Sequence, residues 1–446
     1  MNGAAAATAD ATPNGSSRRT LVRAIGRWAL TATVVNSVIG SGIFGLPATL
    51  TALAGAWSPL VVLAAGASIF VIVLCFAEVG SRFDEPGGPY LYARTAFGNA
   101  VGFQVGWLHI LTRLLSGAAV LNVLIAYLGA LLPWVATPAG RAATMIIAVT
   151  TVTALNIAGV RQAAWTVNVF TVAKLLPLLA LAVLGGIYFR PEVLATQIVA
   201  DPKWTEALLL LVFAYGGFES SVVAGSESRD PRRDTAFALL VAMLSVTAIY
   251  CLVQVAVVGV LPSAATSTAP VASVFREMFG PVGATVGSLA VVISVYGWLS
   301  GFALMTPRIL FAMAERRELP AFLARVHHRF RTPYLAILIN SGLALALGLA
   351  GSFAQMAAFA AISRLAIYIS TCGALLILRR KLGEPEGFRV PGGRGVAVIG
   401  IAFCLWLITT RSLAQAWFLP VVMAVGAATW ALAEKARKRG GEAAID

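Results

Sequence analysis

A chain of 446 residues in which 59% are apolar and only 12% charged, with a mean hydropathy of +0.85, has too few polar side chains to clothe a soluble globule. A net charge of +14 suits a nucleic-acid partner, but the basic residues are spread in short runs between apolar stretches and form no single patch. Those features exclude a soluble enzyme and a nucleic-acid binder, and leave an all-α integral membrane protein.

A helical crossing of the bilayer needs about 20 mostly apolar residues. Twelve runs qualify: 28–53, 57–80, 101–131, 142–160, 165–188, 205–226, 236–261, 284–314, 333–351, 354–378, 396–411 and 415–434. With the first run crossing outward, 24 of the 33 Lys and Arg fall in cytoplasmic segments. Five (Arg141, Arg190, Lys203, Arg276, Arg411) fall outside, and four lie within spans. That bias is the positive-inside rule, and it sets both termini in the cytoplasm of an inner-membrane, multi-pass protein. Residues 1–20 form an Ala/Ser/Thr-rich stretch without a cleavable signal, expected to be a disordered cytoplasmic tail; residues 435–446 form a second tail.

The first span carries Val38-Ile39-Gly40-Ser41-Gly42-Ile43-Phe44-Gly45-Leu46-Pro47 at its centre. Gly costs a helix about 1 kcal/mol relative to Ala, and Pro removes a hydrogen bond. Such a break is tolerated in lipid only where it faces protein or lines a cavity. The stretch is therefore expected to be an unwound hinge whose free N–H and C=O groups face a solute. Its G-x-G-x-x-G pattern is no dinucleotide site, because the flanks are span-length and the next acid is Glu78. A plainer alternative is close helix packing through glycine.

Span two ends at Glu78, followed by the turn-rich Ser81-Arg82-Phe83-Asp84-Glu85-Pro86-Gly87-Gly88-Pro89-Tyr90. Span three holds His109 and Arg113, and span five holds a lone Lys174. Span six is interrupted at Gly216-Gly217, just before Glu219, and span eight includes Ser300, Phe302, Thr306 and Arg308. Two Gly-interrupted spans at corresponding places point to inverted repeats: residues 21–200 (spans 1–5) against 201–380 (spans 6–10), with 381–434 (spans 11 and 12) peripheral.

Gly40-Ser41-Gly42-Ile43-Phe44, Glu85-Pro86-Gly87-Gly88-Pro89-Tyr90, Phe213-Ala214-Tyr215-Gly216-Gly217-Phe218-Glu219 and Pro307-Arg308-Ile309-Leu310-Phe311-Ala312-Met313 occur in that order. Together they resemble the amino acid–polyamine–organocation permeases over roughly residues 20–430. The resemblance implies a LeuT-type 5+5 inverted repeat plus two peripheral helices, and transport of an amino acid or a related amine. It implies that Ser41 and Gly42 hold the substrate carboxylate, as anions bind at a helix N-terminus, with Ile43 also in the substrate-binding set. It further implies that the carbonyls of Val38, Phe213 and Gly216 hold the amine, with the Phe213 ring as a gate. Register within the family places Thr112, Arg113 and Gly117 near the substrate side chain, and Phe302 supplies another wall.

An ionisable residue inside a span is costly and functional by default. Lys174 stands where sodium-coupled relatives hold a sodium ion, which implies proton coupling, with Ser300 or Thr306 as its partner. Glu219 is the second candidate for proton coupling. Arg113 is assigned either to substrate selection or to an ion pair with Glu219, the pair being slightly preferred. The remaining partners are the solute, a proton and the bilayer. Cys75, Cys251, Cys372 and Cys404 form no C-x-x-C pair, and His327-His328 have no carboxylates arranged as co-ligands. No metal, cofactor or catalytic group is expected, and no P-loop signature points to ATP hydrolysis. Exchange without net proton movement, or a sensing receptor on the same scaffold, are the alternatives.

Overall fold

A computed structural model describes residues 26–442 except 84, 86, 159 and 411–416, with backbone alone at 160–173, 224, 226, 227 and 438–442. The expected tail at 1–20, Pro86 of the second motif and Arg411 lie outside the described residues. Among those described there is no β-strand. In chain order the helices are α1 (Arg27–Val38), α2 (Gly42–Ala54), α3 (Ser58–Gly80), α4 (Gly88–Phe97), α5 (Asn99–Leu131), α6 (Pro138–Ala158), α7 (Val160–Ile187) and α8 (Pro191–Thr196). They continue with α9 (Trp204–Ala214), α10 (Phe218–Ser221), α11 (Pro231–Val260), α12 (Pro270–Glu315), α13 (Tyr334–Ala350), α14 (Phe353–Lys381), α15 (Gly393–Thr409) and α16 (Phe418–Glu442).

Among the described residues, each apolar run of the sequence falls mainly on one helix or on a broken pair. Seven described stretches are long and apolar enough to cross a membrane: Gly42–Gly80, Asn99–Leu131, Pro138–Ala158, Pro231–Val260, Pro270–Glu315, Phe353–Lys381 and Phe418–Arg437. The first of these is interrupted at Gly55 (φ 53°, ψ −133°), where Ala56 N–H donates to the Gln197 carbonyl at 2.9 Å. A side chain at Gly55 would be strained in that conformation and would also strike the same carbonyl. In α12 the break is Gly280 (φ 67°, ψ −156°), directly before Pro281.

Local sequence explains where helices start. Pro231 opens α11 after Asp230, whose carboxylate accepts from Arg233 N–H, and Ser352 with Gln355 forms a capping box on α14. In lipid, helices gain little from hiding apolar surface from one another; close approach and interhelical hydrogen bonds hold them. Gln254 of α11 is such a bond-maker: buried, its Nε2 lies 2.8 Å from Ser58 Oγ, 3.1 Å from Thr51 Oγ1 and 3.2 Å from the Pro47 carbonyl. It ties α11 to both sides of the Gly55 turn. At the periphery, the α16 carbonyls of Met423 and Val422 accept from Gln104 and Trp107 of α5.

Candidate functional site

Helix α1 stops at Val38 and α2 restarts at Gly42, with Ile39 at φ −69°, ψ 92° between them. Helix α9 stops at Ala214 and α10 begins at Phe218, with Gly217 at φ 121°. Both interruptions expected from the glycines are present. The first is narrower than the sequence suggested, since Gly42 to Pro47 are helical. The reason is local: Phe44 and Gly45 N–H donate back to the Ser41 carbonyl, so the helix re-forms at once, and Pro47 removes only one bond further on.

The two breaks lie against each other. A Cβ on Gly217 would overlap the Ser37 carbonyl, and one on Gly42 would sit 2.6 Å from Ala214 Cα. Helix α1 packs on α10 and α2 packs on α9, so the broken pair crosses in antiparallel fashion. Glycine is required at both contacts.

On the α2 side the break exposes donors. Among the described residues no hydrogen-bond acceptor meets the N–H groups of Gly40, Ser41, Gly42 and Ile43, or pairs with Ser41 Oγ. Ser41 and Ile43 are nevertheless buried, and these N–H groups sit at the positive end of the α2 dipole. The Trp298 indole edges the same stretch, 3.2 Å from where a Gly40 Cβ would stand. This is an anion-binding geometry.

On the α9 side the arrangement is reversed. The Phe213 carbonyl accepts from Arg364 Nη1 at 3.3 Å, and a Cβ on Gly216 would overlap the Arg364 guanidinium. Arg364 Nε donates to Glu219 Oε1 at 2.8 Å, and Gly217 N–H donates to Glu219 Oε2 at 2.8 Å. Arg364 and Glu219 are 3% and 1% exposed, so this ion pair is fully inside the bundle. The Tyr250 hydroxyl lies 3.1 Å from both the Val38 and Ala214 carbonyls and bridges the two breaks. Each carbonyl retains a second lone pair.

The pairing of Arg113 with Glu219 is therefore corrected: Arg364 of α14 holds that carboxylate. Arg113 turns instead to α12. Its guanidinium carbon lies 5.3 Å from the Trp298 ring centroid and 5.9 Å from that of Phe302, and Nε donates to Thr306 Oγ1 at 3.3 Å. Trp298 and Phe302 stack with centroids 5.6 Å apart. Cation–π contacts give about 0.5–2 kcal/mol, whereas withdrawing an ion from water costs several. Among the described residues no carboxylate bonds Arg113 directly; Glu219 acts on it through space but is bonded to Arg364, so the two arginines share one negative charge.

Lys174 is buried, and its Nζ lies 2.5 Å from the Asn36 carbonyl and 2.7 Å from that of Ile39. It caps the carbonyl end of α1 at the break. The expected partners are corrected as well: Ser300 Oγ donates to the Tyr296 carbonyl, and Thr306 Oγ1 accepts from Arg113. Of the remaining candidates, Thr112 Oγ1 is spent on the Leu108 carbonyl at 2.7 Å. A Cβ on Gly117 would touch the Phe302 ring at 3.0 Å, and Phe213 meets Phe353 edge-on at 6.0 Å. His109 Nε2 is 3.2 Å from Ser220 Oγ, beside the α9–α10 break.

At the bundle end where α3 stops, Glu78 is held by Arg379 (2.5 and 2.7 Å), Arg82 (3.1 Å) and Val390 N–H (2.8 Å). Nearby Tyr90 of α4 donates to Glu318 Oε1 at 2.7 Å; burial, then that carboxylate, pushes its phenol above the ordinary tyrosine range. Arg308 is exposed.

Sequence reasoning overlooked Arg364, although a lone arginine in Ala360-Ala361-Ile362-Ser363-Arg364-Leu365-Ala366 meets the rule that singled out Lys174. Tyr250 and Trp298 carried no such signal.

A profile of the family described as "Amino acid permease" matches residues 25–433. The serine/threonine exchanger SteT of Bacillus subtilis (strain 168) is 30% identical over 397 residues, covering 83% of this chain and 86% of the relative. The branched-chain amino acid permease BcaP of the same organism is 25% identical, covering 88% and 89%. Its methylthioribose transporter is 26% identical, again over 88% and 89%.

Proposed function

We propose, from the premise that the chain belongs to the amino acid permease family, that it is a secondary active transporter of L-amino acids across the cytoplasmic membrane. The observation that carries this reading is the crossing of two broken helices, with the unpaired N–H groups of Gly40 to Ile43 on one side and the Phe213 and Gly216 backbone on the other. Bare donors at the start of α2 suit a carboxylate; the Val38 and Ala214 carbonyls, each with a lone pair to spare, suit an amine, which can reach the Phe213 carbonyl only by displacing Gly216 N–H or Arg364. The twelve apolar runs are then twelve crossings, in a LeuT-type 5+5 repeat with α15 and α16 outside it. The termini are cytoplasmic, and the helices carrying the breaks rock against the others.

In the same reading Lys174 carries the coupled proton. Charged, its ammonium clamps the Asn36 and Ile39 carbonyls; neutral, its weaker N–H donors loosen the hold on that end of α1. Glu219, tied to both the Gly217 N–H and Arg364, adjusts the second break and is the other coupling candidate. Exchange is the second reading, favoured by the name of the relative SteT. Uptake of labelled amino acids into proteoliposomes, with and without an imposed pH gradient, tests all of this. The expected result is accumulation driven by the gradient and abolished in Lys174→Ala. Accumulation that needs only internal amino acid would favour exchange, and full gradient-driven uptake in Lys174→Ala would remove Lys174 from the coupling.

A further inference from the structure

The middle of the bundle holds more positive than negative groups. Arg364 and Glu219 cancel one another. Lys174 faces the Asn36 and Ile39 carbonyls, and Arg113 meets a hydroxyl and two ring faces; the negative charge that also acts on Arg113 is that of Glu219, already bound to Arg364. The Gly40 to Ile43 N–H groups add the positive end of a helix dipole to the same region. An amino acid with a neutral side chain brings a carboxylate and an ammonium, and so leaves this excess untouched.

Arg113 is placed to meet the rest of such a solute. It lies near the middle of α5, a helix of 33 residues, and is only partly covered there. Trp298 links it to the open donors: the indole edge borders Gly40, and the ring face carries the guanidinium. One turn before Arg113, His109 touches Ser220 beside the other break. The rings of Trp298 and Phe302 hold the guanidinium plane in place while leaving its fork of donors largely unspent, and such a fork matches a carboxylate with two parallel bonds.

We infer that Arg113 is the specificity-determining residue of the solute site and that it selects amino acids with a side-chain carboxylate. The inference rests on the amino acid transport reading above. With the α-carboxylate on the Gly40 to Ile43 donors, the side chain passes along Trp298 and Phe302 and ends on the Arg113 guanidinium. The net negative solute then offsets the excess charge that the protein alone leaves.

The test compares near-isosteric pairs in counterflow, with the purified full chain in proteoliposomes: labelled L-glutamate against L-glutamine and L-aspartate against L-asparagine. The expected result is entry of the acids faster than the amides by about tenfold or more. Arg113→Gln is expected to bring each ratio close to one, and Arg113→Lys to keep the acids ahead, since a point charge remains. Each ratio is internal to one preparation, so a lower yield of folded variant does not alter it. Amides entering as fast as acids, or an unchanged ratio in Arg113→Gln, would overturn the inference while leaving amino acid transport in place. Failure of every common amino acid to exchange would overturn both.

Discussion

The two helix breaks come from similar sequence, glycines in the middle of an apolar run, yet they end in opposite states. At the first break the freed donors are left open, the N–H groups of Gly40 to Ile43 and the Ser41 hydroxyl, while Lys174 holds the Ile39 carbonyl. At 215–217 the protein has filled its own break, with Arg364 on the Phe213 carbonyl and Glu219 on the Gly217 N–H. One break presents unpaired N–H donors; the other is a closed ion-pair lock. The difference lies in the partners, since Arg364 comes from α14 and no acidic side chain among the described residues faces 40–43. The first break therefore keeps free donors at the start of α2, whereas the second already shares its Phe213 carbonyl with an internal cation.

The lock should be the costliest feature to damage. Replacing Arg364 by Leu strands a buried carboxylate, and the expected loss is about 3–5 kcal/mol, read as a fall in the thermal midpoint of the purified protein. Replacing Arg364 and Glu219 together by Leu should recover most of that. A single change without cost would mean that Glu219 finds another partner and that the second break is not locked.

Next in size is the contact between the breaks. Gly42→Ala places a methyl 2.6 Å from the Ala214 backbone, which cannot swing aside, and about 1–3 kcal/mol with loss of uptake is expected. Gly342→Ala, at a helical site where a Cβ meets nothing within 4 Å, is the control and should leave uptake unchanged. Smallest is Tyr250→Phe, which removes the bridge between the Val38 and Ala214 carbonyls at a cost of about 1 kcal/mol. Its uptake should fall less than that of Gly42→Ala; the reverse order would make the hydroxyl, and not the close packing, what holds the breaks together.

Sequence showed where both helices part because glycine and proline act locally, through φ, ψ and missing hydrogen bonds. It overstated the first break because Pro47 suggests disruption, while the Phe44 and Gly45 N–H groups had a carbonyl within reach at Ser41. Pairings across the bundle were much less legible. The sequence offers Arg113 to Glu219, and Ser300 or Thr306 to Lys174, but no periodicity sets the rotation of the helices that carry them. The structure gives Glu219 to Arg364 and Lys174 to the α1 carbonyls, both contacts more than 130 residues apart in sequence. The lone charges themselves were visible, and counting Arg364 with them would have exposed the surplus of cations.

The central claim is that the open donors of Gly40 to Ile43 hold a carboxylate. It is tested most directly by asking whether a transported amino acid is displaced in counterflow equally well by its own methyl ester or by the amine that lacks the carboxyl group. The parent amino acid is expected to compete and both derivatives to fail, since neither brings an anion to the α2 terminus. Competition by the amine as strong as by the amino acid would contradict it.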